Sequence, residues 1–230
     1  MIQKHTTSMC LLVAALLCCS TRALAETKDV AFEAALRVGV GLPIGGAGND
    51  QDLGDIVSTV IPLQLDAGVR LFSSLFLGAY FQYGFAMLDD SSNIGCSESG
   101  LVDLDCSGNN LRLGIQAHYH FMPSNQFDPW IGLGFGYEWL TVSAEGGGVE
   151  VSWTLSGFEF ASLQAGLDIA VSEQFRLGPF LQFSFAQYSS MSVDCSGGGL
   201  CTNALGASGD IQETELHDWL IIGVRGAFGT

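Results

Sequence analysis

The sequence predicts an all-β fold, an eight-stranded antiparallel up-and-down transmembrane β-barrel, on three observations. Apolar residues recur at every second position in eight separate segments, the period of a strand with two different faces. The connections between these segments alternate between short and long. The composition is 48% hydrophobic, yet no stretch is long and apolar enough for a membrane-spanning helix. A chain of this kind can hide its apolar surface by crossing the membrane with strands.

The amino-terminal segment predicts a secretory signal peptide, residues 1–25. Lys4 and His5 precede an apolar run from Met9 to Cys19, and Ala23 and Ala25 occupy the small-residue positions of a cleavage site. The run is too short for a spanning helix, which needs about 20 apolar residues. Lipoprotein processing near residue 18 or 19 is the alternative. Residues 26–230 are then one outer-membrane β-barrel domain.

The eight strand segments are each close to the 9 to 11 residues that a tilted strand needs to cross a membrane. The fifth, "WIGLGFGYEWL", sets Gly132, Gly134 and Gly136 against five large apolar residues. Glycine weakens a strand, so a face of glycines indicates a surface left open for other side chains, here a narrow lumen. The segments are residues 32–42, 63–71, 75–85, 111–121, 130–140, 162–169, 177–185 and 220–228.

The connections give the predicted topology. Bacterial barrels have short periplasmic turns and long outer loops. Three short turns and four long loops fit eight strands. The turns lie near residues 73, 122–128 and 171–175, and the loops at 43–57, 88–110, 141–154 and 189–215.

A soluble eight-stranded barrel of the lipocalin kind is the rival fold. Its second face would be a solvated surface rich in lysine and glutamate. Here the second face is mainly glycine, serine, glutamine and arginine, and Lys28 is the single lysine after residue 25. The composition therefore favours the membrane barrel.

The net charge argues against a nucleic-acid partner. The whole chain has a formal charge of −16, and removal of Lys4 and Arg22 with the signal peptide makes it −18. Phosphate backbones require a basic surface.

Four cysteines remain after residue 25, an even number in an exported protein, which predicts two disulfides. We expect Cys96–Cys106 and Cys195–Cys201, each within one outer loop. These bridges should stabilise the loop ends and leave the barrel itself unaffected.

The polar faces of the strands carry equal numbers of acidic and basic side chains. An eight-stranded barrel is only just wide enough for side chains, and buried charges must be paired. We therefore expect a charge network that plugs the lumen; the alternative is a selectivity filter or ligand pocket. The residues are Glu33, Asp66, Glu138 and Asp168 with Arg37, Arg70, Arg112 and Arg225.

Catalysis and metal binding receive little support. His118 and His120 share the polar face, but no cysteine or third histidine accompanies them, so hydrogen bonding in the lumen is the expectation. Lipid-modifying barrel enzymes need their catalytic residues at the membrane-facing surface, which is apolar here. We predict no cofactor and no enzyme activity.

The predicted outer loops are acidic and contain no lysine or arginine. One interpretation is a solvated, self-repelling surface. The other is divalent-cation binding that links the loops to lipopolysaccharide, with Asp50, Asp52, Asp103 and Asp105 as the candidate ligands.

Three stretches carry a family resemblance: "DPWIGLGFGYEWL", "LQAGLDIAVSEQFRLGPFLQFSFAQYSS" and "WLIIGVRGAF". They resemble the small bacterial outer-membrane β-barrel domain family, which includes the outer membrane protein A transmembrane barrel and the OmpX type. The resemblance runs from Phe32 to Phe228 and implies a location in the outer membrane of a Gram-negative cell. Such barrels usually end in an aromatic residue, whereas Phe228 is followed by Gly229 and Thr230.

The expected role is structural or surface-interacting, without catalysis. A narrow pore or carrier for small solutes is the second hypothesis, and a lipid-modifying enzyme is the third. The expected partners are outer-membrane lipid, lipopolysaccharide and the outer-membrane assembly machinery, with divalent cations at the loops as a further candidate.

Overall fold

The computed structural model describes residues 30–48, 51–88, 105–197, 207–211 and 215–229. Eight long strands and two short ones account for nearly all of them. The strands are β1 Val30–Gly48, β2 Gln51–Asp52, β3 Val57–Leu71, β4 Leu75–Leu88, β5 Asp105–His120, β6 Phe127–Gly146, β7 Val149–Ala170, β8 Phe175–Gly197, β9 Ala207–Asp210 and β10 Leu216–Phe228, and residues Leu53–Asp55 form a 3-10 turn.

The eight long strands form a closed ring. Each pairs antiparallel with its neighbour along the chain, from β1 with β3 through to β7 with β8. The strand β10 pairs with β8 on one side and with β1 on the other, which closes the barrel. The predicted eight-stranded up-and-down fold is confirmed. Closure leaves no unpaired edge within the ring.

The alternation in the sequence becomes the alternation of two surfaces. On β4, Phe76, Tyr80 and Gln82 are buried, whereas Leu77 and Phe81 are exposed on the outside. Among the described residues, the interior holds many polar and charged side chains together with one apolar cluster, and the exterior is apolar. Aromatic side chains form one outward band at the turn end and one at the opposite end, as barrels do at the two membrane interfaces. The turn-end band includes Phe32, Phe72, Tyr119, Phe121, Phe127 and Phe228, and the other includes Tyr83, Phe85, Phe158 and Phe160.

The three short turns lie where the alternation stops. The turn between β3 and β4 places Phe72 and Ser73 at φ 51° and 60°, and the Ser74 amide donates to the Leu71 carbonyl at 3.1 Å. Two successive left-handed residues suit the right-handed twist of a tight hairpin. The turns at 121–126 and 171–174 are also short.

The connection at 141–154 differs from the predicted long loop. Strands β6 and β7 continue through it in regular register, and Gly147 and Gly148, both at positive φ, form the two-residue turn that joins them. With 22 and 23 residues, β7 and β8 are about twice as long as a membrane crossing requires. The sheet made by β5 to β8 therefore projects well beyond the second aromatic band.

A bulge in β7 changes which face its residues occupy. The register of β6 on β7 shifts between Gly134 and Gly136, and that of β7 on β8 shifts between Glu159 and Ala161. One extra residue reverses the alternation. As a result, both Glu159 and Ser162 face the lumen.

No helix within the described ranges is both long and apolar enough to span a membrane.

Candidate functional site: the charged lumen

The half of the lumen nearest the short turns contains a dense ion-pair network centred on Arg225. One terminal nitrogen of its guanidinium lies 2.5 Å from Asp168 Oδ2, and the other lies 2.5 Å from Glu33 Oε1. Arg70 forms a second ion pair with Glu33. Strands β1, β3, β7 and β10 are thereby joined across the lumen. Side chains from four directions can meet because the ring is narrow.

Arg37 extends this network to the opposite wall. Its Nε donates to Asp66 Oδ2 at 2.7 Å, and its Nη1 donates to Gln164 Oε1 at 2.8 Å. The Trp130 indole donates to Asp168 at 3.1 Å. The guanidinium carbons of Arg37 and Arg225 each lie 5.3 Å from the centre of the Trp130 ring. A tryptophan face attracts desolvated cations, so the Trp130 ring further stabilises the two buried guanidinium groups.

A second network lies nearer the projecting end, around Glu138. Its carboxylate accepts hydrogen bonds from Asn110 at 2.7 Å, Tyr188 at 2.7 Å and Trp219 at 2.9 Å. Arg112 Nε lies 3.6 Å from the same carboxylate, and His217 Nε2 lies 3.4 Å away. Three neutral donors thus supply most of the contacts to this buried charge.

Glu159 belongs to the same network. Its carboxylate pairs with Arg112 Nη2 at 2.7 Å and accepts a hydrogen bond from the Tyr80 hydroxyl at 2.6 Å. Tyr80 stands on the opposite side of the barrel, on β4, and reaches across the lumen. Hydrogen bonds to a charged acceptor are among the strong ones in proteins.

The lumen glycines provide the space for these long side chains. A Cβ on Gly166 would lie 2.5 Å from the Trp130 ring, and one on Gly114 would lie 2.6 Å from the Tyr80 ring. Gly132 and Gly78 leave room in the same way for the rings of His118 and Phe76. The space above these glycines is therefore filled by rings, three of them from the neighbouring strand and one, Phe76, from the same strand as Gly78.

Further buried side chains lie at both ends of the lumen. At the projecting end, apolar side chains from the short 3-10 turn, β3, β6 and residue 211 pack together above the Glu138 network. At the turn end, the Arg176 guanidinium donates to the carbonyls of Pro123 and Asn125 in the neighbouring turn. The apolar cover includes Leu53, Ile56, Val57, Val60, Leu140, Val142 and Ile211.

A family comparison supports the same architecture. The family model for the outer membrane protein beta-barrel domain matches residues 11–208, well over half of the 230 residues. The chain belongs to this family. The barrel accordingly lies in the outer membrane. No curated protein matches the sequence.

Solved structures of similar fold come from several bacteria. A major outer membrane protein of Thermus thermophilus is 14% identical, covers 86% of this chain and 99% of its own, and has a TM-score of 0.53. OprG of Pseudomonas aeruginosa is 14% identical, with 87% and 97% covered and a TM-score of 0.47. Neisserial surface protein A is 12% identical, with 86% and 96% covered and a TM-score of 0.44. At such low identity the likeness is one of fold alone.

All eight residues of the predicted lumen network lie inside this outer-membrane barrel, each no more than 3% exposed. Eight acid–arginine ion pairs within 4.0 Å join them to one another or to further lumen groups. The barrel separates them into two groups. Arg112 and Glu138 lie in the network beneath the apolar cover, and the other six lie in the network near the turns: Glu33, Arg37, Asp66, Arg70, Asp168 and Arg225.

The two predicted lumen histidines are both buried and hydrogen-bonded. His118 Nε2 lies 3.0 Å from Gln164 Oε1, and His120 Nδ1 lies 2.8 Å from Asp128 Oδ2. Among the described residues, no group of three or more histidine, cysteine or acidic side chains is placed to hold a metal ion.

Among the described residues, four acidic, arginine or histidine side chains of the lumen escape the sequence reasoning: Asp128, Glu159, Arg176 and His217. Asp128 and His217 share the parity of the lumen residues on β6 and β10, so extending the alternation outward would have found them. Glu159 precedes the bulge, where the alternation reverses. Arg176 also lies on the lumen side of the alternation, two residues before Gly178 and four before Phe180, so extending the pattern of β8 toward the turn would have found it.

The predicted disulfides and loop ligands lie partly outside the described residues. Cys106 and Cys195 are at the projecting ends of β5 and β8, but residues 96 and 201 are not described. The Cys96–Cys106 and Cys195–Cys201 pairs therefore stay predictions. Of the candidate cation ligands, Asp52 lies in β2 and Asp105 begins β5, whereas Asp50 and Asp103 are not described. The predicted signal peptide, 1–25, also lies outside the described residues.

Proposed function

We propose that the protein is a non-conducting outer-membrane barrel with a structural or surface-interaction role and no catalytic activity. The observation that carries this proposal is the pair of charge networks that fill the lumen. Arg225 alone contacts three carboxylates, at 2.5, 2.5 and 3.9 Å. Opening an ion path would separate several buried pairs, and loss of one partner of such a pair typically costs about 3 to 5 kcal/mol.

The part that projects beyond the second aromatic band supports a role at the cell surface. Its outward face carries rows of small hydroxyl and amide side chains on adjacent strands, such as Asn109, Thr141, Thr154 and Ser192. Thr141 and Thr154 are hydrogen-bonded at 2.9 Å, and Ser143 and Ser152 at 2.8 Å. These bonds link neighbouring strands of the projecting sheet on its outward face.

The proposed neighbours follow from this placement. Lipid covers the apolar belt, and lipopolysaccharide lies beside the projecting sheet in the outer leaflet. The assembly machinery would read the last strand, whose final aromatic residue is Phe228. Divalent cations at the acidic outer loops remain a candidate bridge to lipopolysaccharide.

Single-channel recording in planar bilayers tests the closed lumen. We expect the wild type to be closed or to flicker briefly, and Arg112→Ala to leak more, because Glu138 and Glu159 would lose their shared cation. Glu173→Ala is the matched control, since Glu173 is exposed in the turn between β7 and β8. Steady ion-selective conductance of the wild type would favour the second hypothesis, a narrow pore or carrier. Release of fatty acid from purified lipid by the wild type would favour the third, a lipid-modifying enzyme.

A further inference from the structure

Three glycines alternate with apolar residues along β6, and the middle one differs from the other two. The ring of His118 covers Gly132, and the Tyr80 hydroxyl covers Gly136, so a Cβ at either glycine would collide with these side chains. A Cβ added to Gly134 would meet no atom of the described residues closer than 3.3 Å. The lumen therefore has room beside Gly134 that it lacks at the two neighbouring glycines.

The room beside Gly134 is bordered by neutral polar side chains from three strands. Gln116 on β5 and Ser162 on β7 are the register partners of Gly134. Ser184 on β8 pairs in turn with Ser162. We call these side chains and their neighbours in the next row the polar layer; each is no more than 5% exposed, and the layer consists of Gln116, Ser162, Gln164, Gln182 and Ser184.

The polar layer lies between the two charge networks. On the turn side, Gln164 Oε1 accepts a hydrogen bond from Arg37 at 2.8 Å. On the other side, Ser184 is the register partner of Trp219, whose indole donates to Glu138 at 2.9 Å. The layer itself contains no charged side chain. Its hydrogen-bonding groups therefore suit a neutral ligand better than an ion.

Three atoms of the polar layer have no hydrogen-bond partner among the described residues. They are Gln116 Nε2, Gln182 Oε1 and Ser184 Oγ. The first is a donor, the second is an acceptor, and the hydroxyl can act as either. Buried polar groups in native structures are nearly always hydrogen-bonded, to protein or to ordered water. The matching ligand must both donate and accept, and it must fit the room beside one glycine.

We propose that the polar layer is a binding site for water molecules, held beside Gly134 between the two charge networks. Water both donates and accepts, and a buried water molecule typically makes about three hydrogen bonds to otherwise unsatisfied groups. An ion would find no counter-charge in the layer, and a solute larger than water would exceed the room that the glycine leaves. Bound water completes the hydrogen bonding of the lumen without opening a path through either network.

Nuclear magnetic resonance of the protein in lipid nanodiscs tests this site. The measurement is cross-relaxation between water and the side-chain amide protons of each glutamine, recorded in the rotating frame so that its sign separates it from proton exchange. We expect cross-peaks from water to Gln116 and Gln182. Gln64 is the internal reference, because its amide donates to Asp66 at 2.7 Å, and its cross-peak should be several-fold weaker.

Gly134→Ala tests the position of the water. The added methyl group occupies the room beside Gly134 and should reduce the water cross-peak of Gln116 several-fold. Gly41→Ala is the matched control, since a Cβ at Gly41 also meets nothing closer than 3.3 Å among the described residues, but its nearest side chains are Ile221 and Val60. This variant should leave the cross-peak unchanged. Migration on unheated gels would establish that both variants fold.

The wild type alone is able to overturn the proposal. Cross-peaks that are equally weak at Gln116, Gln182 and Gln64 would mean that the layer binds no water, and the closed-lumen proposal would stand. Equally strong cross-peaks at all three would mean that water fills the lumen throughout, which would overturn the confined site and contradict the closed lumen. Equal cross-peaks in the wild type and in Gly134→Ala would overturn the position beside Gly134.

Discussion

The two charge networks of the lumen neutralise their carboxylates by different means. Near the periplasmic turns, each carboxylate lies beside at least one arginine, and the numbers of acids and arginines are equal. Beneath the apolar cover, Glu138 and Glu159 share the single arginine Arg112, and neutral donors supply the remaining contacts. The turn-side network consists of Glu33, Asp66, Asp128 and Asp168 with Arg37, Arg70, Arg176 and Arg225.

This difference predicts different responses to mutation. Removing an arginine from the balanced network leaves carboxylates buried without a counter-ion, which is among the most costly changes in a protein interior. Removing a carboxylate from the second network relieves an excess of negative charge. Loss of either an acid or an arginine should therefore destabilise the first network. The second network should be destabilised mainly by loss of the groups that donate hydrogen bonds to its carboxylates.

The largest effect is expected for Arg225→Met. Methionine fills similar volume but cannot pair with Asp168 and Glu33, so we expect a loss of about 3 to 5 kcal/mol in the free energy of unfolding. Urea titration in lipid vesicles measures this value. Arg176→Met is the comparison. Arg176 lies at the mouth, 3.8 Å from Asp128, and Asp128 keeps Arg70 and His120 as partners, so the change should cost about 1 kcal/mol. Equal losses would mean that position in the network does not matter.

A pair of isosteric changes compares the networks directly. Asp168→Asn removes one of the two carboxylates that lie 2.5 Å from Arg225 and should cost about 2 to 3 kcal/mol. Glu138→Gln removes the excess carboxylate while retaining one carbonyl acceptor, so we expect a smaller cost of about 1 to 2 kcal/mol. Both are measured by the same urea titration. A larger loss for Glu138→Gln would contradict the contrast between the networks.

The faces of the strands could be predicted from the sequence, because the two-residue period assigns each side chain to lumen or lipid. This period assigns Arg37 and Asp66 to the inside, and the structure joins them at 2.7 Å. The period fails where the backbone is irregular. The bulge near Glu159 reverses the alternation, so a lumen carboxylate there has no regular pattern to mark it.

Pairing across the lumen could not be predicted in the same way. Glu33 and Arg225 are 192 residues apart in sequence, and they meet because β10 closes onto β1. Strand stagger and barrel width set which side chains reach each other, and neither is encoded in local alternation. The connection at 141–154 was also predicted wrongly. The sequence suggested a long loop there, whereas strands β6 and β7 continue through it to a tight turn at Gly147 and Gly148.

The smallest predicted effect tests the neutral donors of the second network. Tyr188→Phe removes one of the three donors to Glu138, and loss of a hydrogen bond to a charged group costs about 1.5 to 3 kcal/mol in a typical case. We expect a cost just below that range, about 1 kcal/mol, because Asn110 and Trp219 continue to donate to the same carboxylate. Tyr137→Phe is the control, since its hydroxyl faces outward and bonds Ser156 at 3.3 Å. If both variants have the same urea midpoint of unfolding as the wild type, the stability of the protein does not depend on the neutral donors to Glu138. The distinction between the two networks then fails.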